Sequence, residues 1–149
     1  MHETGTAGFE VVTTTPAAVC LSEAAIGQLV GNLLDNAGKH GAPPVRLTVD
    51  RADGGTGSWG RLVVTDAGPG MDAELLATAT RRFTRAASSR SRAGFGLGLS
   101  LVEALVARAG GQLRLCSGGR HQTYGAAGAG EVACAHDDAM TVTVLLPAD

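Results

Sequence analysis

Residues 29–41 read LVGNLLDNAGKHG, and their spacing sets two faces on one helix. Ile26, Leu29, Val30, Leu33, Leu34 and Ala37 recur at three- and four-residue intervals and mark a buried stripe. Asn32, Asn36 and Lys39 fall at i, i+4 and i+7, on a polar stripe of their own. Ser22 is placed as an N-cap and Gly41 as a stop, so a helix is predicted from Ser22 to about His40. Two carboxamides and an ammonium on one stripe can offer carbonyl oxygen to Mg²⁺ and positive charge to phosphate. An ordinary polar helix face would carry the same residues, although Asn is a poor helix former. Asp35 lies off this stripe and reads as a cap, an ion-pair partner or a residue behind the primary ligands, and not as a ligand itself.

Outward from this helix, 149 residues suit one domain with a real core. Aromatic residues are only 3%, so the core must rest on Leu, Val and Ala. A net charge of -2 argues against a general nucleic-acid binder. Of the twelve Lys and Arg residues, Arg81, Arg82, Arg85, Arg90 and Arg92 cluster together, as an anion site or a solvated basic loop. Cys20, Cys116 and Cys134 are odd in number and lack C-x-x-C spacing, which fits a reduced cytosolic setting. Cys116, His121, Cys134 and His136 match no standard zinc spacing. The sequence holds no stretch of ~20 apolar residues and no signal peptide, so a soluble, cytoplasmic domain without membrane contact is expected.

Strands are predicted at FEVVTTT (9–15), VRLTVDRA (45–52), WGRLVVTD (59–66), QLRLCS (112–117) and MTVTVLLP (140–147). The second and third form one hairpin and the last two a closing hairpin, joined by a long loop insertion at 118–139 that is expected to be mobile. A short helix should follow Asp72, and a second strong helix spans Leu97 to Ala109. Leu101, Val102, Leu105 and Val106 fall at its core spacing, and Gly110-Gly111 ends it. The class is α+β, a mixed, mainly antiparallel sheet of about five strands covered by about three helices.

Asp66 ends an apolar strand and Gly68 and Gly70 follow it, in DAGPG (66–70). A carboxylate in a partly dry pocket accepts from an amino group such as adenine N6, and glycines let a flat ring approach the backbone. A plain D-x-G-x-G turn would look the same. RAGFGLGLSLVEALV (92–106) offers Gly94, Gly96 and Gly98 ahead of a helix N-terminus, where N–H groups and the macrodipole favour an anion. It is neither G-x-G-x-x-G nor a Walker A loop.

The order of these motifs resembles the GHKL ATPases, and within them the catalytic ATP-binding domain of sensor histidine kinases. NLLDNAGKHG resembles the N box, DAGPGM the G1 box, RRFTRA the F box and GFGLGLSLVEALVARAGG the G2 box. The resemblance spans residues 22–117 and 140–147 and implies a two-layer, Bergerat-type α/β sandwich. It implies ATP and Mg²⁺ as cofactors, with Asn36 on the metal, Asn32 near the γ-phosphate and Lys39 on phosphate. His40 would lie against adenine or ribose, and Asp66 would read adenine in a pocket shaped by Gly68 and Gly70. Phe83 and Arg85 would belong to a mobile lid. Gly94, Gly96 and Gly98, with Leu97 and Leu99, would hold the triphosphate.

The resemblance also implies transfer of the ATP γ-phosphoryl group to a histidine on a separate dimerisation domain, for relay to a response regulator. Hydrolysing members of the superfamily use a glutamate one turn before the metal-binding Asn. Asn32 stands there and cannot act as a general base. The chain contains nothing like the family's H-E-x-x-T/N-P acceptor helix. It is therefore expected to be part of a larger sensor kinase, monomeric in isolation and not autophosphorylating. The sequence departs from the family at Ala67, where Asn is usual, at Phe95, where Thr or Ser is, and at Arg81 and Gly38. A catalytically inactive nucleotide-binding module and an anti-sigma-type serine kinase share the same fold and remain open.

Overall fold

Apolar alternation lays down the centre of a sheet, and two capped helices cover one of its faces. A computed structural model describes residues 2–4, 9–13, 19, 21–54, 57–80, 93–125 and 140–148. The elements run β1 (His2–Thr4), β2 (Phe9–Thr13), α1 (Glu23–His40), β3 (Val45–Gly54), β4 (Gly57–Asp66) and α2 (Ala73–Thr78). They continue with α3 (Ala93–Arg108), β5 (Gln112–Ser117), β6 (Arg120–Gly125) and β7 (Met140–Pro147). The sheet order is β1-β2-β3-β4-β7-β5-β6. Every neighbouring pair is antiparallel except β2 and β3, which run parallel from Phe9↔Val45 to Thr13↔Val49.

The five strands expected from the sequence are β2, β3, β4, β5 and β7, and the α+β layering is as anticipated. Two edge strands, β1 and β6, enlarge the sheet to seven. The second of these corrects the reading of 118–139 as loop throughout, because residues 120–125 pair along β5 from Ser117↔Arg120 to Gln112↔Gly125. Gly118 (φ 57°) and Gly119 (φ 82°) are the two residues between the strands. Both turn positions need positive φ, which glycine adopts without a Cβ penalty. The remainder of that insertion, 126–139, lies outside the described residues, and with it the expectation of mobility.

Helix α1 starts where the sequence places it. Ser22 Oγ accepts from the Ala25 N–H (3.1 Å), and the Gly41 N–H closes the last turn on Ala37 O (2.9 Å). Leu29, Leu33 and Ala37 are buried at i, i+4 and i+8, with Val30 and Leu34 packed beside them. Helix α3 begins earlier than expected, at Ala93, so the alternating glycines are helical and not a loop. Glycine enters the α region freely, and each costs roughly 0.5–1 kcal/mol there relative to alanine. Burial of Leu99, Val102 and Val106 on the same helix offsets that cost.

The buried row also corrects Leu101, which is 44% exposed, while Leu99 takes the core position. The helix ends in a Schellman motif: the Gly111 N–H donates to Val106 O (2.8 Å) and the Gly110 N–H to Ala107 O (3.1 Å), with Gly110 at φ 78°. Between helices and sheet lie Leu62 and Val64 of β4, Leu113 and Leu115 of β5, and Met140, Val142, Val144 and Leu146 of β7. Trp59 and Leu145 form a smaller cluster with Ala52. Among the described residues, no helix is long and apolar enough to cross a membrane.

Candidate functional site

Strand alternation delivers the acidic residue of the site. Leu62 and Val64 occupy the core-facing row of β4, and Asp66 is the next position of that row. Its side chain is 8% exposed. The Gly68 N–H donates to Asp66 Oδ1 (2.7 Å), which fixes the carboxylate against the turn that follows. Oδ2 accepts no hydrogen bond from any described residue.

Two glycines make room for this carboxylate. A Cβ at Gly41 would overlap the Asp66 carboxyl group, and one at Gly68 would lie 2.6 Å from the Gly41 Cα. The end of α1 is thus seated directly on the turn after β4, and the Ala67 N–H donates to Ala42 O (2.9 Å) to hold it there. Sequence reasoning read Gly41 only as a helix stop. Its second role depends on a contact 25 residues along the chain, for which the local sequence carries no signal.

One turn before that junction stands Asn36. Its carbonyl oxygen, Oδ1, is buried and has no hydrogen-bond donor among the described residues. A buried acceptor left unpaired costs about 1–3 kcal/mol, so such an atom calls for an explanation. Asn32, one turn earlier, donates from Nδ2 to Gln28 O (2.8 Å). Its Oδ1 faces Gly98 of α3, 4.0 Å from where a Cβ would sit. The two carboxamides therefore line the side of α1 that packs toward α3.

Lys39 does not join them in this arrangement. Its Nζ pairs with Asp35 Oδ2 (3.1 Å), both side chains 61% exposed. An exposed pair of this kind is worth ~0–1 kcal/mol and exchanges readily for another anion. The ion-pair reading of Asp35 holds.

The turn from Gly68 to Met71 is braced from β5. The Met71 N–H donates to Ser117 Oγ (3.1 Å), and Gly70 sits at φ 76° with its Cβ position occupied by that same oxygen. Asp72 then caps α2 by accepting from the Leu75 N–H (2.8 Å). Ser117 was not singled out from sequence, since a serine at a strand end carries no pattern.

Of the other candidates, Gly94, Gly96 and Leu97 lie on the first turns of α3, and His40 is the last residue of α1. Leu99 is fully buried in the core, so any contact it makes with the triphosphate would come from its backbone. Phe83 and Arg85 lie outside the described residues, as does the arginine cluster. Cys116 Sγ lies 3.0 Å from His121 Nδ1 across the β5–β6 pair. Among the described residues, no three of His, Cys, Asp and Glu gather in a metal-binding group.

The donor set fits Mg²⁺ with phosphate and not a metal held by protein alone. Asn36 Oδ1 is a hard oxygen ligand in want of a partner, and Mg²⁺ completes its shell with phosphate oxygens and water. The partly dry carboxylate of Asp66 stands at the end of the same helix, so one junction brings together a hard oxygen acceptor and a buried carboxylate. Residues 22–149 match the family of histidine kinase-, DNA gyrase B- and HSP90-like ATPases, and the chain belongs to that family.

Its relatives include sensor kinases of mycobacteria. The signal transduction histidine-protein kinase/phosphatase MprB of Mycolicibacterium vanbaalenii is 40% identical over 104 residues, 70% of this chain and 21% of that protein. The sensor histidine kinase TrcS of Mycobacterium tuberculosis is 44% identical over 87 residues, 56% of this chain and 17% of that protein. The chain thus spans about a fifth of the length of these curated relatives. A solved mycobacterial sensor histidine kinase MprB superposes with a TM-score of 0.65 at 33% identity, covering 94% of this chain and 82% of that one. Full-length ShkA, at 24% identity and a TM-score of 0.60, shares the fold.

Proposed function

We propose that residues 1–149 form one catalytic ATP-binding domain of a two-component sensor histidine kinase. It would transfer the γ-phosphoryl group of ATP to a histidine on the kinase's dimerisation domain, and a response regulator would receive the group in turn. ATP as donor places the domain in the cytoplasm. The observation that carries this reading is the buried carbonyl oxygen of Asn36, without a donor among the described residues, on the helix whose end seats the Asp66 carboxylate.

In this reading adenine N6 donates to Asp66 Oδ2, and Gly68 and Gly70 shape the pocket by letting the turn close against Gly41 and Ser117. Asn36 Oδ1 would hold Mg²⁺, which neutralises charge on the phosphates. Asn32 would lie beside the γ-phosphate, and Lys39 would exchange Asp35 for phosphate. The first turns of α3 would present N–H groups to the triphosphate. An Asn32 carboxamide cannot take a proton from water, so hydrolysis would be slow. An imidazole nitrogen needs no such base. A P–N bond forms as the β,γ-bridging P–O bond breaks, ADP leaves with the electron pair, and the imidazole N–H proton passes to solvent.

Titration with a fluorescent ATP analogue, with and without Mg²⁺, tests the site directly. Binding should tighten with Mg²⁺ in the natural chain and lose that increment in Asn36→Ala. Labelled ATP and an added acceptor-histidine domain should then yield an acid-labile phosphoprotein. No nucleotide binding, or an acid-stable product, would overturn the reading.

A further inference from the structure

The β5–β6 hairpin leaves a role for its outer strand that the nucleotide site as described does not use. Tyr124, the chain's one tyrosine, sits opposite Leu113 on β6. Its half-buried ring packs against the main core, and its hydroxyl donates to Leu76 O (2.6 Å). Leu76 lies in α2, a helix of six residues. The last four carbonyls of any helix lack intrahelical donors, so in so short a helix one side-chain donor supplies much of the end's satisfaction.

Helix α2 follows the Asp66–Met71 turn without a break, since Asp72 is its N-cap. One hairpin therefore grips that segment twice. Ser117, at the inner strand's end, holds Met71, and Tyr124, at the outer strand's far end, holds Leu76. The anchored stretch begins at the carboxylate proposed to read adenine.

We propose that Tyr124 is a positioning residue for nucleotide binding, acting through α2 to keep the Asp66–Met71 turn in its binding-competent shape. This rests on the adenine reading of Asp66. A turn held in one shape binds with its intrinsic affinity. A turn that samples others binds more weakly, in proportion to the competent fraction. Because the grip is at the base end of the site, the loss should be equal for ATP and ADP and independent of Mg²⁺.

Tyr124→Phe removes the hydroxyl and keeps the ring in the core. Measured on the full chain, per folded molecule and without Mg²⁺, dissociation constants for ATP and ADP should both rise roughly three- to tenfold, the size of one lost hydrogen bond. The Mg²⁺ increment, and kcat at saturating ATP with the acceptor-histidine domain added, should not move. Ser117→Ala should weaken both nucleotides in the same way. An unchanged affinity per folded molecule in Tyr124→Phe, with only a lowered melting temperature, would reduce the bond to a structural tie and overturn the proposal. So would a loss confined to ATP, or a fall in kcat. Failure of the natural chain to bind any nucleotide is a separate outcome, which strikes the function reading itself.

Discussion

At the scale of single residues, the two oxygens of Asp66 have different duties. Oδ1 is committed to the Gly68 N–H, so recognition falls to Oδ2. Asp66→Asn keeps the shape and can still accept from Gly68, but it turns the outer acceptor into an N–H donor. Facing the adenine amino group, that donor is repelled; facing the guanine carbonyl it is matched. ATP affinity should fall at least tenfold, within the ~1–3 kcal/mol of an unpaired buried group, and preference over GTP should shrink. Competition between ATP and GTP for a fluorescent analogue measures both, and unaltered selectivity would remove Asp66 from the base site. Asp66 was legible because period-2 alternation carries it onto the core-facing row, and Asn36 because of its helical spacing. Gly41 and Ser117 were not, since each acts on a residue distant in sequence.

At the scale of elements, α1 could be read almost to the residue because cap, stripe and stop agree. The start of α3 could not, because alternating glycines argue locally for a loop while the buried row of Leu99, Val102 and Val106 extends the helix. Strand β6 was equally hidden: RHQTYG carries polar residues on an edge, with little β-branched signal. The helical placement of Gly98 has a consequence of two signs. Among the described residues a methyl there meets only Asn32 Oδ1, at 4.0 Å, so Gly98→Ala fits without strain against them. It should stabilise the fold by about 0.5–1 kcal/mol in urea unfolding, as alanine does for glycine inside a helix. The same methyl faces the proposed phosphate site and should weaken ATP. Destabilisation by Gly98→Ala would mean that α3 does not begin ahead of it.

At the scale of the whole molecule, the site belongs to no single layer. Its carboxylate comes from the sheet, its carboxamides from α1, and Gly98 from α3, so one ligand would tie the elements that enclose the core. A ligand that binds only the folded chain adds RT ln(1 + [L]/Kd), about 2.7 kcal/mol at a hundredfold excess over Kd. For a chain of this length each kcal/mol raises the unfolding midpoint by ~2–4 °C, so saturating Mg²⁺–ATP should shift it by roughly 5–10 °C. Mg²⁺ alone should do little, because one carbonyl oxygen cannot hold it without phosphate. In Asn36→Ala the unliganded chain should melt no lower than the natural one, since the deleted oxygen has no donor to lose. Its shift with ATP should be the same whether or not Mg²⁺ is present. Thermal unfolding of both chains, with ATP, Mg²⁺ and the two together, separates these cases. A full Mg²⁺-dependent shift in Asn36→Ala would move the metal to another ligand.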